Sequence, residues 1–148
     1  MKPNKKSRLL SFACNFFVLI FAVMVLQSCN KEKYKFEISS VVPAAEGSVE
    51  VKKDGNENYE IDLNVTRLAE PNRLSPERKL YVVWVQTEQN GDKNVGQLKT
   101  SSGFLSNTLK SSLSTVTSFK PVGFIISAED DANVQQPGDQ VVLRTSKN

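Results

Sequence analysis

The most distinctive chemistry in this sequence lies near the N-terminus, where a cysteine thiol follows a long apolar run. Four basic residues stand among the first eight, and residues 9–26 are mostly apolar. Leu26 closes this run, and the small Ser28 stands directly before Cys29. A positive segment, an apolar segment and a small residue at the cut are the parts of a secretory signal. The expected chemistry is therefore acylation of the Cys29 thiol and cleavage of the bond before it.

The sequence Leu26-Gln27-Ser28-Cys29 resembles the lipobox of bacterial lipoproteins, Leu-x-(Ala/Gly/Ser)-Cys. The resemblance implies that Leu26 and Ser28 are recognised by the lipoprotein signal peptidase and that Cys29 becomes the acylated first residue. We therefore expect residues 1–28 to be a cleaved signal peptide and the protein to be held at a membrane, because more than one acyl chain attaches stably. The alternative is an uncleaved single-span anchor, since about 18 to 20 apolar residues can cross a bilayer.

The residues after the cysteine bear on the location within the cell envelope. Asn30 occupies the position where Asp retains enterobacterial lipoproteins in the inner membrane, so we expect the outer membrane. Residues 29–33 also resemble part of the surface-export signal of Bacteroidetes lipoproteins, a Lys followed by acidic residues. The sequence leaves open whether the domain faces the periplasm or the cell surface.

Composition excludes several classes of function. The formal charge of the whole chain is +3, and removing the four basic residues of the signal changes it to −1. The mature chain therefore lacks the basic field that nucleic-acid binding requires. There is no histidine, and the two cysteines are Cys14, inside the signal, and Cys29. Ser-His-Asp and Cys-His catalysis, zinc sites and a disulfide are thereby excluded, and we expect no enzymatic activity, metal or cofactor.

The mature sequence shows the alternation and turn signals of β-strands and almost no helical period. After a short tether over residues 29–33, we expect a first strand at 34–38. The clearest hairpin joins alternating segments at 49–52 and 59–66 through Asp54-Gly55-Asn56, which offers residues that tolerate positive φ. These features predict that one β-domain occupies residues 34–148.

The centre of the sequence predicts a crossing loop followed by a buried strand. Pro71 and Pro76 exclude a long ladder between residues 67 and 77, so we expect a loop there with a short helical turn. Residues 80–85 are apolar on both faces, which is typical of a central strand covered by two layers. In such a strand one face carries Tyr81 and Val83 and the other carries Val82 and Trp84.

The rest of the chain predicts further short strands. The Ser- and Thr-rich residues 100–118 favour short strands and turns, residues 119–128 form a second apolar run with a bulge or close approach at Gly123, and residues 140–144 form the last strand. Seven or eight strands with adjacent hairpins and one crossing loop indicate an all-β fold, an immunoglobulin-like antiparallel β-sandwich.

From about Lys79 onward the order of features resembles the extracytoplasmic β-domain of RskA-type anti-sigma-K factors. The shared features are a Tyr-x-x-Trp strand at Tyr81, a Gly-centred return strand at Gly96, a late strand that ends in the acidic Glu129, and a Pro-Gly loop at Pro137. The resemblance implies a sensory or partner-binding ectodomain. It does not imply direct sequestration of a sigma factor, because the cytoplasmic helical domain of that family is not seen in this sequence.

We therefore interpret the chain as a lipid-anchored, non-enzymatic partner-binding or sensory module with a protein partner, linked through the resemblance to anti-sigma regulation. The candidate contact residues are Arg73, Arg78, Glu129 and Asp130. The alternative is an envelope lipoprotein that binds a glycan or small ligand, which an exposed cluster of Tyr81 and Trp84 would favour. The acids at 129–131 could supply oxygen ligands to a calcium ion, but their spacing matches no EF-hand, and we interpret them as a solvated loop.

Overall fold

The computed structural model describes residues 31–103 and 106–146, and it describes the side chains of these residues except those at 101–108. The predicted signal peptide, its recognition residues Leu26 and Ser28, and the acylated Cys29 lie outside these residues and remain predictions. Within the described part of the chain, no helix is long and apolar enough to cross a membrane.

The described residues form an all-β, immunoglobulin-like antiparallel sandwich, which confirms the predicted fold class. It has nine strands rather than the expected seven or eight. The strands are β1 Lys31–Lys35, β2 Glu46–Lys53, β3 Tyr59–Thr66, β4 Leu80–Gln86, β5 Asp92–Gln97, β6 Lys99–Gly103, β7 Ser106–Thr117, β8 Gly123–Glu129 and β9 Val141–Arg144. A short 3₁₀-helix, Pro71–Arg73, lies in the crossing loop as expected.

The strand order explains the immunoglobulin-like character. One sheet has the order β1-β2-β3-β7-β6 and the other has the order β5-β4-β8-β9. Strands β2, β3, β7 and β6 correspond to the ABED sheet of immunoglobulin domains, and β5, β4, β8 and β9 correspond to an extended CFG sheet. Strand β1 is an addition at the outer side of the first sheet.

The core lies between the sheets and is dominated by two fully covered strands. Tyr81 and Val83 of β4 pack into the main core, whereas Val82 and Trp84 belong to a smaller cluster on the opposite face, as predicted. Every residue of β8 is buried as well. Both strands are covered on two sides, which is why their sequences are apolar rather than alternating.

Both sides of the sandwich are closed by segments that pass from one sheet to the other. Residues 92–103 run through β5 and β6 with the buried Leu98 at the switch, where its N–H donates to the Tyr81 carbonyl at 3.0 Å. On the other side, Phe36, which follows β1, forms an isolated β-bridge with Thr145, which follows β9.

Three local expectations were wrong. Lys31 to Lys33, expected in the tether, already belong to β1, which pairs with β2 and places both lysines near Glu50. Ile38, expected in the first strand, lies beyond the end of β1 at Lys35, and its side chain is 88% exposed. The Ser- and Thr-rich segment contains one twelve-residue strand, β7, because its residues 110–117 pair with β3 and its residues 106–112 pair with β6.

The hairpin between β2 and β3 is confirmed, although its turn differs in detail. Asp54 stabilises the turn, because its Oδ1 accepts hydrogen bonds from the N–H groups of Asn56 and Asn58 at 2.7 and 2.9 Å. The positive φ of 67° falls on Glu57 and not on Gly55. The connection spans residues 54–58 and is longer than the tight turn expected at Asp54-Gly55-Asn56.

The sandwich has two poles that matter for function. We call the end where β1 begins the entry pole, since it carries Lys31 and the connections 54–58, 87–91 and 118–122. The opposite end, the distal pole, carries the connections 36–45 and 67–79 and the start of the connection 130–140.

Candidate functional site

A polar cleft of about 600 Å³ opens at the distal pole. We call it the Arg78 cleft. It lies between the crossing loop and the start of the β8–β9 connection, and its lining residues are Glu70, Pro71, Asn72, Glu77, Arg78, Lys79 and Asp130. The lining carries both signs of charge and lies on loops held by a rigid sandwich, which is the usual setting of recognition surfaces.

The crossing loop is fixed by its own backbone. The Pro71 carbonyl accepts the N–H groups of Leu74 at 3.2 Å and Arg78 at 3.0 Å, so the segment closes on itself around the 3₁₀ turn. Leu68 is almost fully buried and anchors the start of the loop in the core. Proline at the first helical position is pre-organised for such a turn, because its φ is fixed near the helical value.

Arg78 joins the crossing loop to the β8–β9 connection. Its guanidinium donates to Asp130 Oδ2 at 3.0 Å, to Asp139 Oδ1 at 3.0 Å and to Gln140 Oε1 at 3.1 Å. The side chain is only 23% exposed. A planar guanidinium can satisfy three acceptors at once, which an ammonium cannot do in the same geometry.

Glu129 lies beneath the cleft and not on its surface. The residue is 8% exposed, and its Oε1 accepts hydrogen bonds from Ser127 Oγ at 2.6 Å and from the Gly138 N–H at 2.7 Å. A Cβ at Gly138 would stand 2.8 Å from the carboxylate. The carboxylate therefore holds the β8–β9 connection against the sheet at Gly138.

The same connection covers the outer face of the four-stranded sheet. Trp84 Nε1 donates to Ser127 Oγ at 2.8 Å, which places the indole in one buried network with Glu129. Val134 packs on this cluster, and the Asn94 amide donates to the carbonyls of Ala132 and Val134 at 2.9 and 3.0 Å. These contacts explain why the outer face of β4, which would be exposed to solvent without the connection, carries the apolar side chains of Val82 and Trp84.

The four predicted contact residues have different placements. Arg78 and Asp130 meet in an ion pair inside the cleft, and Arg73 is exposed on the 3₁₀-helix, where it pairs with Glu70 at 3.4 Å. Glu129 acts from inside the fold, and a partner would reach its carboxylate only after the connection opened. Sequence reasoning missed Glu70, Asn72 and Lys79, although Pro71 marked the loop that carries them.

The two aromatic residues of β4 do not form a surface platform. Tyr81 is 2% exposed and Trp84 is 0% exposed. The Tyr81 hydroxyl donates to the Ala69 carbonyl at 2.9 Å, and burial raises the pKa of Tyr81 to about 12. Their burial argues against the alternative in which these rings bind a sugar.

The carboxylates of Glu60 and Asp62 are two acids on one strand that could serve a hydrolase only inside a cleft, and they lie on an open surface. Glu60 and Asp62 share the outer face of β3, where Glu60 lies 3.7 Å from the Lys52 ammonium and Asp62 accepts a hydrogen bond from Ser114 at 2.6 Å. Across residues 31–103 and 106–146, no group of three or more His, Cys, Asp or Glu could hold a metal ion. The β3 acids therefore belong to a solvated face.

The fold and the cleft define an immunoglobulin-like domain with a charged surface at one pole. Comparison of the chain with protein-family models, curated proteins and solved structures found no match.

Proposed function

We propose that this chain is a lipid-anchored protein of the bacterial cell envelope, at the outer membrane, whose non-enzymatic sandwich presents the Arg78 cleft to a protein partner. Acylation of Cys29 would hold the domain at the bilayer. The partner would be a membrane regulator or an envelope complex, in keeping with the resemblance to RskA-type ectodomains.

The observation that carries this proposal is the placement of the two poles. Strand β1 begins at Lys31, only two residues after Cys29, and the cleft lies at the other end of the sandwich. Two residues span at most roughly 7 Å. An anchor at Cys29 would therefore keep the entry pole close to the lipid and direct the cleft away from it.

The chemistry of the cleft supports a partner with charges of its own. Glu70, Arg73 and Lys79 present exposed charged side chains around it. Complementary charges at an interface favour correct orientation and fast association more than they add affinity. Anchoring adds to this effect, because confinement beside the membrane raises the effective concentration of the domain for a neighbour.

The anchoring part of the proposal is tested by metabolic labelling with an alkyne-tagged fatty acid and by membrane fractionation. We expect label and membrane retention in the native chain and loss of both in Cys29→Ala. If Cys29→Ala still carries label or remains in the membrane fraction, the lipid anchor is rejected.

The partner-binding part is tested by affinity purification from gently solubilised membranes with quantitative mass spectrometry. We expect a stoichiometric protein that is retained by the native chain and reduced at least severalfold by Lys79→Glu, which reverses an exposed charge in the lining of the cleft. Lys53→Glu is the matched control, since it makes the same charge change on an exposed residue at the entry pole. A partner that is lost equally in both variants, or no partner at all, would reject the Arg78 cleft as its binding surface.

A further inference from the structure

We infer that the entry pole itself contacts lipid, with Phe119 entering the bilayer interface and Lys93 and Lys120 at the level of the lipid phosphates. This inference rests on the proposed anchoring at Cys29 and adds an orientation to it. The domain would stand on its entry pole with the Arg78 cleft facing away from the membrane.

The first observation is an exposed aromatic ring at the pole where the chain enters. Phe119 lies in the connection 118–122 between β7 and β8, and it is 36% exposed. Among the described connections of the entry pole, it is the large apolar residue that reaches solvent. Among the side chains that the structure describes, the other exposed large apolar ones are Val116 on the outer sheet face and Ile38 and Val41 in the β1–β2 connection.

The second observation places this ring beside the first strand. The Tyr34 hydroxyl of β1 lies 3.2 Å from the carbonyl of Pro121, two residues from Phe119, and shares its proton between this carbonyl and Glu32 Oε2 at 2.8 Å. Tyr34 also contacts Phe124 of β8 edge to face, with ring centroids 5.2 Å apart. The connection is thus attached to the strand that leads directly from Cys29, so the acyl chains and the ring would meet the same surface.

The third observation concerns charge. The Lys93 ammonium lies 5.4 Å from the centre of the Phe119 ring, and exposed Lys120 follows it in the chain. Neither lysine takes part in the ion pairs found among the described residues. An apolar side chain flanked by lysines suits the interface, because the stem of a lysine lies on apolar surface while its ammonium reaches the phosphates.

The test uses the acylated full-length protein in vesicles of phosphatidylethanolamine and phosphatidylglycerol that contain lipids brominated near the headgroup. Phe119→Trp places a fluorescent reporter at the entry pole, and Asn72→Trp places one in the Arg78 cleft. Native Trp84 is fully buried and provides the baseline that bromine does not reach. We expect the emission of Phe119→Trp to be quenched severalfold more strongly than that of Asn72→Trp.

Flotation of the vesicles separates the two ways in which the inference can fail. Protein that floats with the vesicles but shows no selective quenching of Phe119→Trp overturns the orientation and leaves the anchor standing. Equal quenching of both variants also overturns it, because the domain would then lie on its side. Protein that does not float overturns the anchor and the orientation together.

Discussion

At the scale of single residues, the buried network of Trp84, Ser127 and Glu129 is the most consequential polar feature of the domain. It connects the central strand to the β8–β9 connection, and each hydrogen bond in it is 2.8 Å or shorter. Buried polar networks stabilise a fold only when every member is satisfied. In the described residues, no buried side-chain nitrogen or oxygen lacks a partner.

Replacing Ser127 with alanine should therefore destabilise the domain by about 1–3 kcal/mol, since the indole N–H of Trp84 loses its acceptor and Glu129 loses a donor. Urea unfolding followed by the fluorescence of Trp84 measures the free energy of unfolding. Ser114→Ala is the matched control, because that hydroxyl donates to Asp62 on the surface and should cost less than about 0.5 kcal/mol. Equal losses in the two variants would contradict the importance of the network.

At the scale of elements, Arg78 is the link between the crossing loop and the β8–β9 connection. Arg78→Lys should accelerate amide hydrogen exchange in residues 130–140 and lower stability by about 1 kcal/mol, because an ammonium cannot serve Asp130, Asp139 and Gln140 together. Arg73→Lys, which alters a single exposed ion pair, is the control and should leave exchange unchanged. Unchanged exchange in Arg78→Lys would show that the connection is held without the guanidinium.

The switch between the sheets depends on Leu98. Leu98→Ala should cost about 2–5 kcal/mol, because it opens a cavity where β5 passes into β6. Ile38→Ala removes a side chain that is 88% exposed and should change stability by less than about 0.5 kcal/mol. Urea unfolding of the two variants and the native chain measures the change in the free energy of unfolding. A small loss at Leu98 would mean that the crossing from one sheet to the other does not depend on this side chain.

The sequence was sufficient to predict elements that carry their own local signals. Alternation predicted the hairpin of β2 and β3, and the apolar run at 80–85 predicted a doubly covered strand with the correct faces. Local pattern failed for β1, where the charged Lys31-Glu32-Lys33 pairs only because β2 lies beside it. It also failed for β7, whose length depends on pairing with both of its neighbours, β3 and β6.

The candidate site was predictable only in part for the same reason. Sequence reasoning selected Arg78 and Asp130, which form an ion pair across 52 positions of the chain. The burial of Glu129 could not be foreseen, since it depends on a connection that folds back over the sheet at Gly138. Contacts between segments distant in sequence therefore determine which charged side chains are exposed in the cleft and which are buried in the fold.

At the scale of the whole molecule, two tyrosines link separate parts of the sandwich and make its stability depend on alkaline pH. Tyr81 donates from β4 to the crossing loop, and burial raises its pKa to about 12 from the ordinary 10.0. The Tyr34 hydroxyl of β1 shares its proton between Glu32 Oε2 at 2.8 Å and the Pro121 carbonyl before β8 at 3.2 Å, and burial together with the hydrogen bond to Glu32 raises its pKa further. Both shifts favour the neutral form in the folded state.

Stability should accordingly fall as pH rises from about 10 towards 12. In this window the unfolded chain releases the tyrosine protons while the folded chain keeps them, so unfolding becomes more favourable with each increment of pH. Tyr81→Phe should reduce this slope, because it removes one of the two groups whose pKa is raised. At neutral pH the same variant should lower the free energy of unfolding by about 1 kcal/mol, because the hydrogen bond to the Ala69 carbonyl is lost. Urea unfolding at a series of pH values measures the slope, with Ser114→Ala as a variant that should retain it in full. A slope in Tyr81→Phe equal to that of the native chain would show that the Tyr81 hydroxyl titrates alike in both states and that its burial between β4 and the crossing loop has no bearing on alkaline stability.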